Sequence, residues 1–395
     1  MRGIRIGSVF GIPIKLDITF LLILPLFAWL IGSDVANLTT VLNSMFGSAM
    51  PVDVLTAGST RWVLGTAAAT GLFVCVLLHE FGHSLVAMEY GYEIESITLW
   101  LFGGVARFTE MPEDWKQEFT IAVAGPIVSV ALGALSYVAF RLVPGALPTV
   151  QFVLAYLALT NIALAVFNML PGFPMDGGRV LRALLARSRP HARATQIAAE
   201  VGKLFAVVLA IVGLFANLFL VALAFFIYIG ASSEAQQTVM KAAFQDVTVG
   251  DIMTPAAELK TVTADTSIAT LTDRMFRERH TGYPVLQQGN LVGMVTLDDT
   301  REVREVERDA YRVEDVMATD LTTISPDADA MDAISMMQRE GVGRLPVVDD
   351  AGELVGLISR SDLVTAFNII RTRGSEAGAE TGLSRLSTDP EFAQR

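Results

Sequence analysis

The sequence predicts a membrane α-helical bundle of about six transmembrane helices, followed by a soluble α/β domain. Of the 395 residues 52% are hydrophobic and only 18% are charged, and the mean hydropathy of +0.49 is high for a soluble protein. Residues 1–235 carry 13 basic and 14 acidic side chains, whereas residues 236–395 carry 16 and 27. The long apolar stretches stop where the acidic part begins. The chain therefore divides near residue 235 into a membrane part and a soluble, acidic part.

The apolar stretches of the first part have the length of membrane spans. A transmembrane helix needs about 20 mostly apolar residues. The last apolar region is too long for one helix, and Asn217 near its middle predicts a tight turn between two. The predicted spans are Ile14–Ile31, Trp62–Met88, Phe119–Val143, Thr149–Leu170 and a pair within Thr195–Ile229.

The basic residues near the span ends predict the orientation, since cytoplasmic loops carry the excess of Lys and Arg. With a cytoplasmic N-terminus, only Arg61 and Arg141 lie at outer ends. The basic residues that then lie inside are Arg2, Arg5, Lys15, Arg107, Lys116, Arg179, Arg182, Arg187, Arg189 and Arg193. We therefore expect a multi-pass protein of the cell membrane whose N-terminus and acidic half are cytoplasmic.

Charge and cysteine content argue against two other classes of protein. A net charge of −12 leaves no basic face to neutralise phosphates, so nucleic-acid binding is not expected. The single cysteine, Cys75, excludes an internal disulfide and a CxxC zinc site. Cys75 precedes His79 by one helical turn, and we interpret it as a packed thiol rather than a metal ligand.

Ionisable side chains inside a span are energetically unfavourable and mark functional sites. The second predicted span contains three of them, His79, Glu80 and His83, in the pattern His-Glu-x-x-His. Histidines at positions i and i+4 project from one face of a helix, so that both imidazoles can bind one zinc ion. The glutamate between them can take a proton from zinc-activated water. The pattern predicts a metal site within the membrane.

A catalytic zinc site needs a third protein ligand. Asp176 is the best candidate, because it follows two prolines and a glycine at the end of the fourth predicted span, where a regular helix cannot continue. Broken backbone at membrane depth is tolerated where it is buried in protein or lines a cavity. The alternative, that Asp176 merely caps the next helix, stays open at this point.

These motifs together resemble the site-2 proteases, zinc metalloproteases that cleave substrates within the membrane. The resemblance covers residues 1–230 and rests on His79-Glu80-x-x-His83, on Asn168-x-x-Pro-x-x-x-x-Asp176-Gly, and on Gly125-x-x-x-Ser129. It implies that His79, His83 and Asp176 ligate one catalytic zinc ion, that Glu80 is the catalytic base and that Asn168 helps to stabilise the oxyanion. For Gly125 we favour helix packing.

Segment Ile97–Phe108 mixes β-branched and aromatic residues around Gly103-Gly104. It is either a membrane-embedded strand or loop, which offers an edge to an extended substrate, or an ordinary interfacial loop. The sequence leaves both alternatives open.

The soluble part contains an internal repeat with an offset of 62 to 64 residues. The segments starting at Val249, Gly282 and Leu291 recur at Val313, Arg344 and Leu354, and each copy has the pattern strand, helix, strand, strand, helix. The pattern resembles a tandem pair of CBS domains over residues 246–370. The resemblance implies adenine-nucleotide binding (ATP or AMP) through Thr296, Asp299, Ser359 and Asp362. The alternative, that these residues cap the following helices, stays open.

The predicted domains are a transmembrane protease domain (1–235), two CBS domains (246–307 and 308–372) and a disordered tail (374–395). The first hypothesis is an intramembrane zinc metalloprotease that acts on membrane-spanning proteins, senses adenine nucleotides and forms a homodimer through its CBS domains. The alternative is an ion channel or transporter gated by CBS domains. A pathway would distribute ionisable residues along the bundle, whereas here they concentrate at the predicted zinc site, which favours the protease.

Overall fold

A computed structural model describes residues 3–101, 103–109, 112, 114–370 and 372, so the predicted tail at 374–395 lies outside the described residues. The contacts between residues divide the chain into two compact units, the first ending at Thr238 and the second beginning at Val239. The helices that begin in the first unit are, in chain order, α1 (Ile18–Ser33), α2 (Val35–Phe46), α3 (Val52–Thr56), α4 (Thr60–Glu89), α5 (Trp115–Leu142), α6 (Pro148–Asn168), α7 (Asp176–Ala186), α8 (His191–Ala216) and α9 (Leu218–Ala243). The boundary between the units falls within the last turns of α9.

Five of these helices, namely α4, α5, α6, α8 and α9, are long and apolar enough to cross a membrane. Helices α1 and α2 are bent by 70° at their junction and count as a sixth span if the pair forms one broken crossing. The prediction of about six apolar spans is therefore confirmed. A core of buried residues from α1 to α6, among them Leu42, Leu55 and Phe152, holds this bundle together.

The predicted turn at Asn217 is confirmed, because α8 ends at Ala216 and α9 begins at Leu218. The Asn217 side chain accepts a hydrogen bond of 2.8 Å from the backbone N–H of Phe219 at the start of α9. Gly213 allows the helices to approach closely, since a Cβ there would stand 2.8 Å from the backbone nitrogen of Val221.

The first unit also contains a four-stranded sheet. Its strands are β1 (Ile4–Val9), β2 (Ile12–Leu16), β3 (Ile94–Trp100) and β4 (Gly103–Phe108), in the order β1-β2-β3-β4. Strands β2 and β3 are parallel, and the other two pairs are antiparallel. Segment Ile97–Phe108 therefore contains strand, whereas its place in the membrane and its use as an edge for a substrate stay predictions.

The predicted start of the first span is wrong, because Ile14 to Leu16 belong to strand β2 and not to a helix. Ile12 and Ile14 alternate towards the core, where they pack against Phe81 of α4 and Ile97 of β3. Their period of two is that of a half-buried strand. The sheet thus lies against the helix that carries the His-Glu-x-x-His motif.

The second unit consists of two three-stranded sheets with short helices. Each sequence repeat supplies a hairpin and a preceding helix, as predicted. The sheets have the orders β6-β7-β8 and β5-β10-β9. The strands are β5 (Thr254–Pro255), β6 (Val262–Thr263), β7 (Gly282–Gln287), β8 (Asn290–Thr296), β9 (Arg344–Val348) and β10 (Leu354–Ser359). The helices are α10 (Val249–Ile252), α11 (Ile268–Glu278), α12 (Leu297–Arg301), α13 (Ala330–Glu340) and a last helix over 360–370.

The two repeats exchange their first segments. Strand β5, at the start of the first repeat, pairs with β10 of the second, and Ala318 of the second repeat bridges Met294 of the first. Met253 and Met317 cover Gly356 and Gly293 of the opposite repeat, and a Cβ on either glycine would collide with the thioether. Each repeat therefore completes the sheet and core of the other.

Candidate active site

Two imidazoles from one helix form the first half of the site. His79 and His83 lie one turn apart on α4, face α5, and are each only 3% exposed. Their Nε2 atoms are 3.1 Å apart. As predicted from the i, i+4 spacing, the Nε2 atoms of both histidines therefore lie next to each other.

The carboxylate of Asp176 completes this arrangement from helix α7. Its Oδ2 atom lies 3.1 Å from Nε2 of His79 and 3.2 Å from Nε2 of His83. Met175, rather than Asp176, is the residue that precedes α7 as its N-cap, and it makes no side-chain capping bond. Of the two alternatives for Asp176, the structure therefore favours the one in which its carboxylate meets the histidines.

The other ring nitrogens are bound to α5, and this fixes the orientation of both rings. The Nδ1–H of His83 donates to the backbone carbonyl of Ile121 at 2.7 Å, and Nδ1 of His79 lies 2.9 Å from the Ser129 hydroxyl. The outer nitrogen of a metal-binding histidine is typically held in this way. A carbonyl can only accept, so Nδ1 of His83 carries a proton, and in the neutral ring Nε2 is then the nitrogen with the lone pair.

Gly125 provides the space for the two rings. A Cβ at this position would fall on Nε2 of His83 and stand 2.7 Å from Nε2 of His79. The packing predicted for Gly125 is therefore packing against the zinc-site candidates: the backbone of α5 lies directly against His79 and His83.

The three converging atoms fit a zinc ion. Zinc in proteins is tetrahedral with bonds of about 2.0–2.1 Å to nitrogen and oxygen, so neighbouring ligand atoms are about 3.3 Å apart. The three measured separations are 3.1 to 3.2 Å. When both Nε2 atoms are unprotonated, their lone pairs and the carboxylate oxygen repel one another at such distances unless a cation lies between them. Within the described part of the chain, no other group of three such side chains converges this closely.

Glu80 lies beside these three residues and against strand β4. A Cβ on Gly104 would overlap Cγ of Glu80 and stand 3.0 Å from its Cδ and 3.2 Å from its Oε1. Among the strands of this sheet β4 is at one edge, so its outward backbone groups have no partner strand there. The Glu80 carboxylate therefore faces the strand at the edge of the sheet, as far as the described residues show.

Asn168 and Cys75 do not belong to the group of side chains that converges at the site. Asn168 is the last residue of α6, and its side chain has no hydrogen bond to another described residue. Cys75 is buried and is not part of the converging group. The role expected for Asn168 stays a prediction.

Comparisons with known proteins decide the family. The model of peptidase family M50 matches residues 67–148 and 145–209, and the CBS domain model matches 249–305 and 313–369. A zinc metalloprotease of Methanocaldococcus jannaschii is 34% identical over 373 residues, which cover 94% of this chain and 98% of that protein. The chain belongs to peptidase family M50. It is a site-2 protease type of metalloendopeptidase with a tandem CBS pair, which confirms the protease of the first hypothesis over the channel. Nucleotide sensing and the homodimer stay predictions.

Solved structures show similarity to both parts of this M50 peptidase. The site-2 protease from Methanocaldococcus jannaschii is 33% identical, covers 59% of this chain and 95% of its own, and has a TM-score of 0.41. The CBS-pair protein CBSX2 from Arabidopsis thaliana, in complex with AMP, is 30% identical, covers 31% of this chain and 98% of its own, and has a TM-score of 0.29.

In the CBS pair of the M50 peptidase, the two predicted nucleotide motifs have the same local structure. Asp299 Oδ2 accepts from the backbone N–H and the hydroxyl of Thr296, both at 2.7 Å. Asp362 accepts from Ser359 in the same way, at 2.8 and 2.7 Å. Both pairs therefore cap the helix that follows, which is the alternative to nucleotide binding that the sequence left open.

Only one of these two pairs lines a cavity that is found in the CBS pair. A cavity of about 570 Å³ is lined by Thr296 and Asp299, while Ser359 and Asp362 are not among its lining residues. The other polar residues that line it are Thr281, Asp298, Asp320, Thr322 and Arg344. The Arg344 guanidinium donates to the Gly282 carbonyl at 2.6 Å and to the Thr281 hydroxyl at 2.8 Å. The structure thus separates two motifs that the sequence treats as equivalent.

Sequence reasoning did not identify the roles of Ser129, Gly104 and Ile121. Ser129 was visible as the last position of the Gly-x-x-x-Ser pattern, four residues after Gly125 and so on the same face of α5. The sequence signal for Gly104 was the pair Gly103-Gly104 within a segment of β-branched and aromatic residues. The carbonyl of Ile121 has no signal in the sequence, since any residue carries one.

Proposed function

We propose that His79, His83 and Asp176 hold one catalytic zinc ion and that Glu80 is the base for the hydrolysis of peptide bonds in membrane-spanning substrates. The observation that carries this proposal is the triangle of ligand atoms from α4 and α7, with sides of 3.1 to 3.2 Å. Its dimensions, its burial and the orientation of both rings by α5 support zinc rather than a structural hydrogen-bond cluster.

The zinc ion supplies Lewis acidity, which lowers the pKa of water and polarises a peptide carbonyl. Glu80 accepts a proton from the attacking water and returns it to the amine that leaves when the C–N bond breaks. Asn168 donates a hydrogen bond from its side-chain amide to the oxyanion that forms at the carbonyl. Ser129 and the Ile121 carbonyl hold the imidazoles so that both Nε2 atoms face the reaction centre.

The substrate pairs with strand β4 as an added strand. An extended peptide at a sheet edge is held by its backbone groups, so a range of sequences can bind. The contact of Gly104 with Glu80 supports this assignment, because a peptide on β4 passes beside the base. A helical substrate must unwind locally, since the bonds of a regular helix are internally paired and shielded.

The protein spans the membrane several times with its N-terminus and CBS pair in the cytoplasm. The excess of Arg and Lys at the same ends of the spans supports this orientation. Single cysteines introduced at Arg61 and at Arg193 into a Cys75→Ala background test it by labelling with an impermeant maleimide on intact cells. Labelling at position 61 alone is expected, and labelling at position 193 alone contradicts the orientation.

The protease assignment is tested by co-expression with single-span membrane proteins that carry a soluble reporter. Glu80→Gln keeps the size of the side chain and removes the base, so cleavage is expected to fall by about 100- to 10,000-fold. The matched control is Glu89→Gln at the end of the same helix, which is expected to cleave as wild type does. Equal cleavage by wild type and Glu80→Gln contradicts the assignment.

The CBS pair binds one adenine nucleotide in the cavity at Thr296 and Asp299. Asp299 uses Oδ2 for both capping bonds, so Oδ1 remains free to accept from a ribose hydroxyl. The cavity is lined by three aspartates and one arginine, Arg344, a balance that favours AMP over ATP because AMP carries less negative charge.

Isothermal titration of the full-length protein with AMP and with ATP tests this site. We expect one AMP per chain, weaker binding of ATP, and loss of AMP binding in Asp299→Ala but not in Asp362→Ala. Absence of heat for both nucleotides, or equal loss in both variants, contradicts the proposal. Sedimentation of the same samples tests the predicted homodimer.

A further inference from the structure

A second group of buried charged residues lies in the first unit, away from the proposed zinc ligands. Arg182 of α7 donates from Nε to Oε1 of Glu118 on α5, and from Nη1 to Oε1 of Glu234 on α9, both at 2.6 Å. At the start of α8, Nε2 of His191 lies 3.7 Å from the other oxygen of Glu118. The Arg182 guanidinium therefore joins α7 to α5 and α9, and Glu118 approaches a fourth helix, α8.

The burial of Arg182 and Glu118 indicates a role other than stabilising the fold. Arg182 and Glu118 are each 3% exposed. Burying charges removes their hydration, and a well-packed apolar set of the same size is often as stable or more stable than a buried ion pair. Stability alone therefore does not explain three charged side chains at this place. They also restrict the direction of the side chain, because the N–H donors of a guanidinium lie in one rigid plane and here bind carboxylates on two different helices.

The same guanidinium also contacts the loop that leads to Asp176. It lies over the ring of Phe173 at 4.9 Å from the ring centre, a distance typical of a cation–π contact. Phe173 is 1% exposed and packs against α8 and α9. Arg182 thus holds both its own helix and the broken segment before that helix.

The position of Arg182 on α7 suits it to control the direction of Asp176. The residues are six positions apart, which places them about 9 Å apart along the helix axis and about 120° apart around it. One face of α7 thus presents Asp176 to the histidines while another presents Arg182 to Glu118 and Glu234. Anchors on two different faces prevent the helix from rotating about its axis.

The start of α7 offers little freedom to compensate. A Cβ on Gly177 or Gly178 would collide with backbone atoms of the preceding loop, at Met169 and Gly172 respectively. A small rotation of α7 therefore has to move the Asp176 carboxylate relative to the imidazoles, since the loop cannot follow without a clash.

We propose that Arg182 is a positioning residue for the metal site: by pairing with Glu118 and Glu234 it fixes the rotation of α7 and holds the Asp176 carboxylate at the two histidines. This proposal rests on the proposed zinc ligands. Replacing a group that orients a ligand typically weakens metal binding by about 10- to 100-fold.

The test measures zinc affinity of the purified full-length protein by competition with a chelating dye, and thermal unfolding of the same samples. Arg182→Gln is expected to bind zinc about 10- to 100-fold more weakly, with Arg182→Lys in between, because lysine keeps the charge but not the planar fork. Arg193→Gln on the surface of α8 is the control and is expected to match wild type.

A neutral variant separates positioning from stability. Arg182→Met combined with Glu118→Gln and Glu234→Gln leaves no unpaired buried charge, and its zinc affinity is expected to stay low because α7 is no longer anchored. Wild-type affinity in this triple variant, or in a folded Arg182→Gln, overturns the proposal. Asp176→Asn in the same assay identifies a failure of the ligand set itself: if it too binds zinc as wild type does, the proposed zinc site is wrong.

Discussion

Gly104 of strand β4 and Glu80 of helix α4 are packed so closely that no side chain larger than hydrogen fits at position 104. A side-chain carbon at Gly104 would overlap Cγ of Glu80. Strand β4, at the edge of the sheet, and the proposed base Glu80 are therefore in direct contact. Their relationship links the place where a substrate backbone can bind to the place where its carbonyl can be attacked.

Gly104→Ala is expected to displace the Glu80 carboxylate and to reduce cleavage by about 100-fold, the effect of a misplacement of about 1 Å. Zinc content is expected to remain that of wild type, because the three atoms nearest to the added Cβ all belong to Glu80 and none to a proposed metal ligand. Val105→Ala on the same strand is the control and is expected to cleave normally. Normal cleavage by Gly104→Ala contradicts the close pairing of strand and base.

Ser129→Ala removes the hydroxyl 2.9 Å from Nδ1 of His79 and leaves that nitrogen without a partner in the described structure. We expect zinc affinity or activity to fall by about 10- to 100-fold, as for other groups that orient metal ligands. Ser129→Thr keeps the hydroxyl and is expected to retain more of the affinity than Ser129→Ala. An unchanged zinc affinity in Ser129→Ala means that the hydroxyl has no orienting role.

A pH effect is expected in the CBS pair at Tyr283. Burial, together with the hydrogen bond of 2.9 Å that its hydroxyl donates to Glu278, raises the pKa of Tyr283 to about 12. An unfolded tyrosine loses its proton at about pH 10. The folded form therefore keeps a proton that the unfolded form releases, and this contribution to stability is fully present below pH 10 and is lost as the pH rises towards 12.

The measurement is the tyrosinate absorbance of wild type minus that of Tyr283→Phe as the pH is raised. The difference is expected to have its midpoint near 12, and Glu278→Gln is expected to lower it. A midpoint near 10 in wild type shows that neither burial nor Glu278 acts on this group.

The parts of the fold that follow from local spacing were predictable. His79, Glu80 and His83 lie within one and a half turns of one helix, and the turn at Asn217 was marked by a polar residue in an apolar run. The start of the first span was not predictable by hydropathy, because Ile14 continues the apolar run of α1 although its alternation with Ile12 belongs to strand β2.

The parts that depend on distant partners were not predictable. Glu118 and Arg182 are 64 residues apart, and only the packing of α5 against α7 brings them together. The exchange of first segments between the CBS repeats is of the same kind, since the repeat shows that Met253 and Met317 are equivalent but not that each covers a glycine of the opposite copy. One sequence without its contacts cannot pair such residues.

The zinc content and zinc affinity of the purified protein test the central claim most directly. Wild type is expected to hold one zinc ion per chain, as is Glu80→Gln, which keeps all three ligands. Asp176→Asn is expected to lose more affinity than the roughly 10- to 100-fold typical of an outer-shell partner, because a ligand atom itself changes. A folded Asp176→Asn that binds zinc as tightly as wild type contradicts the account.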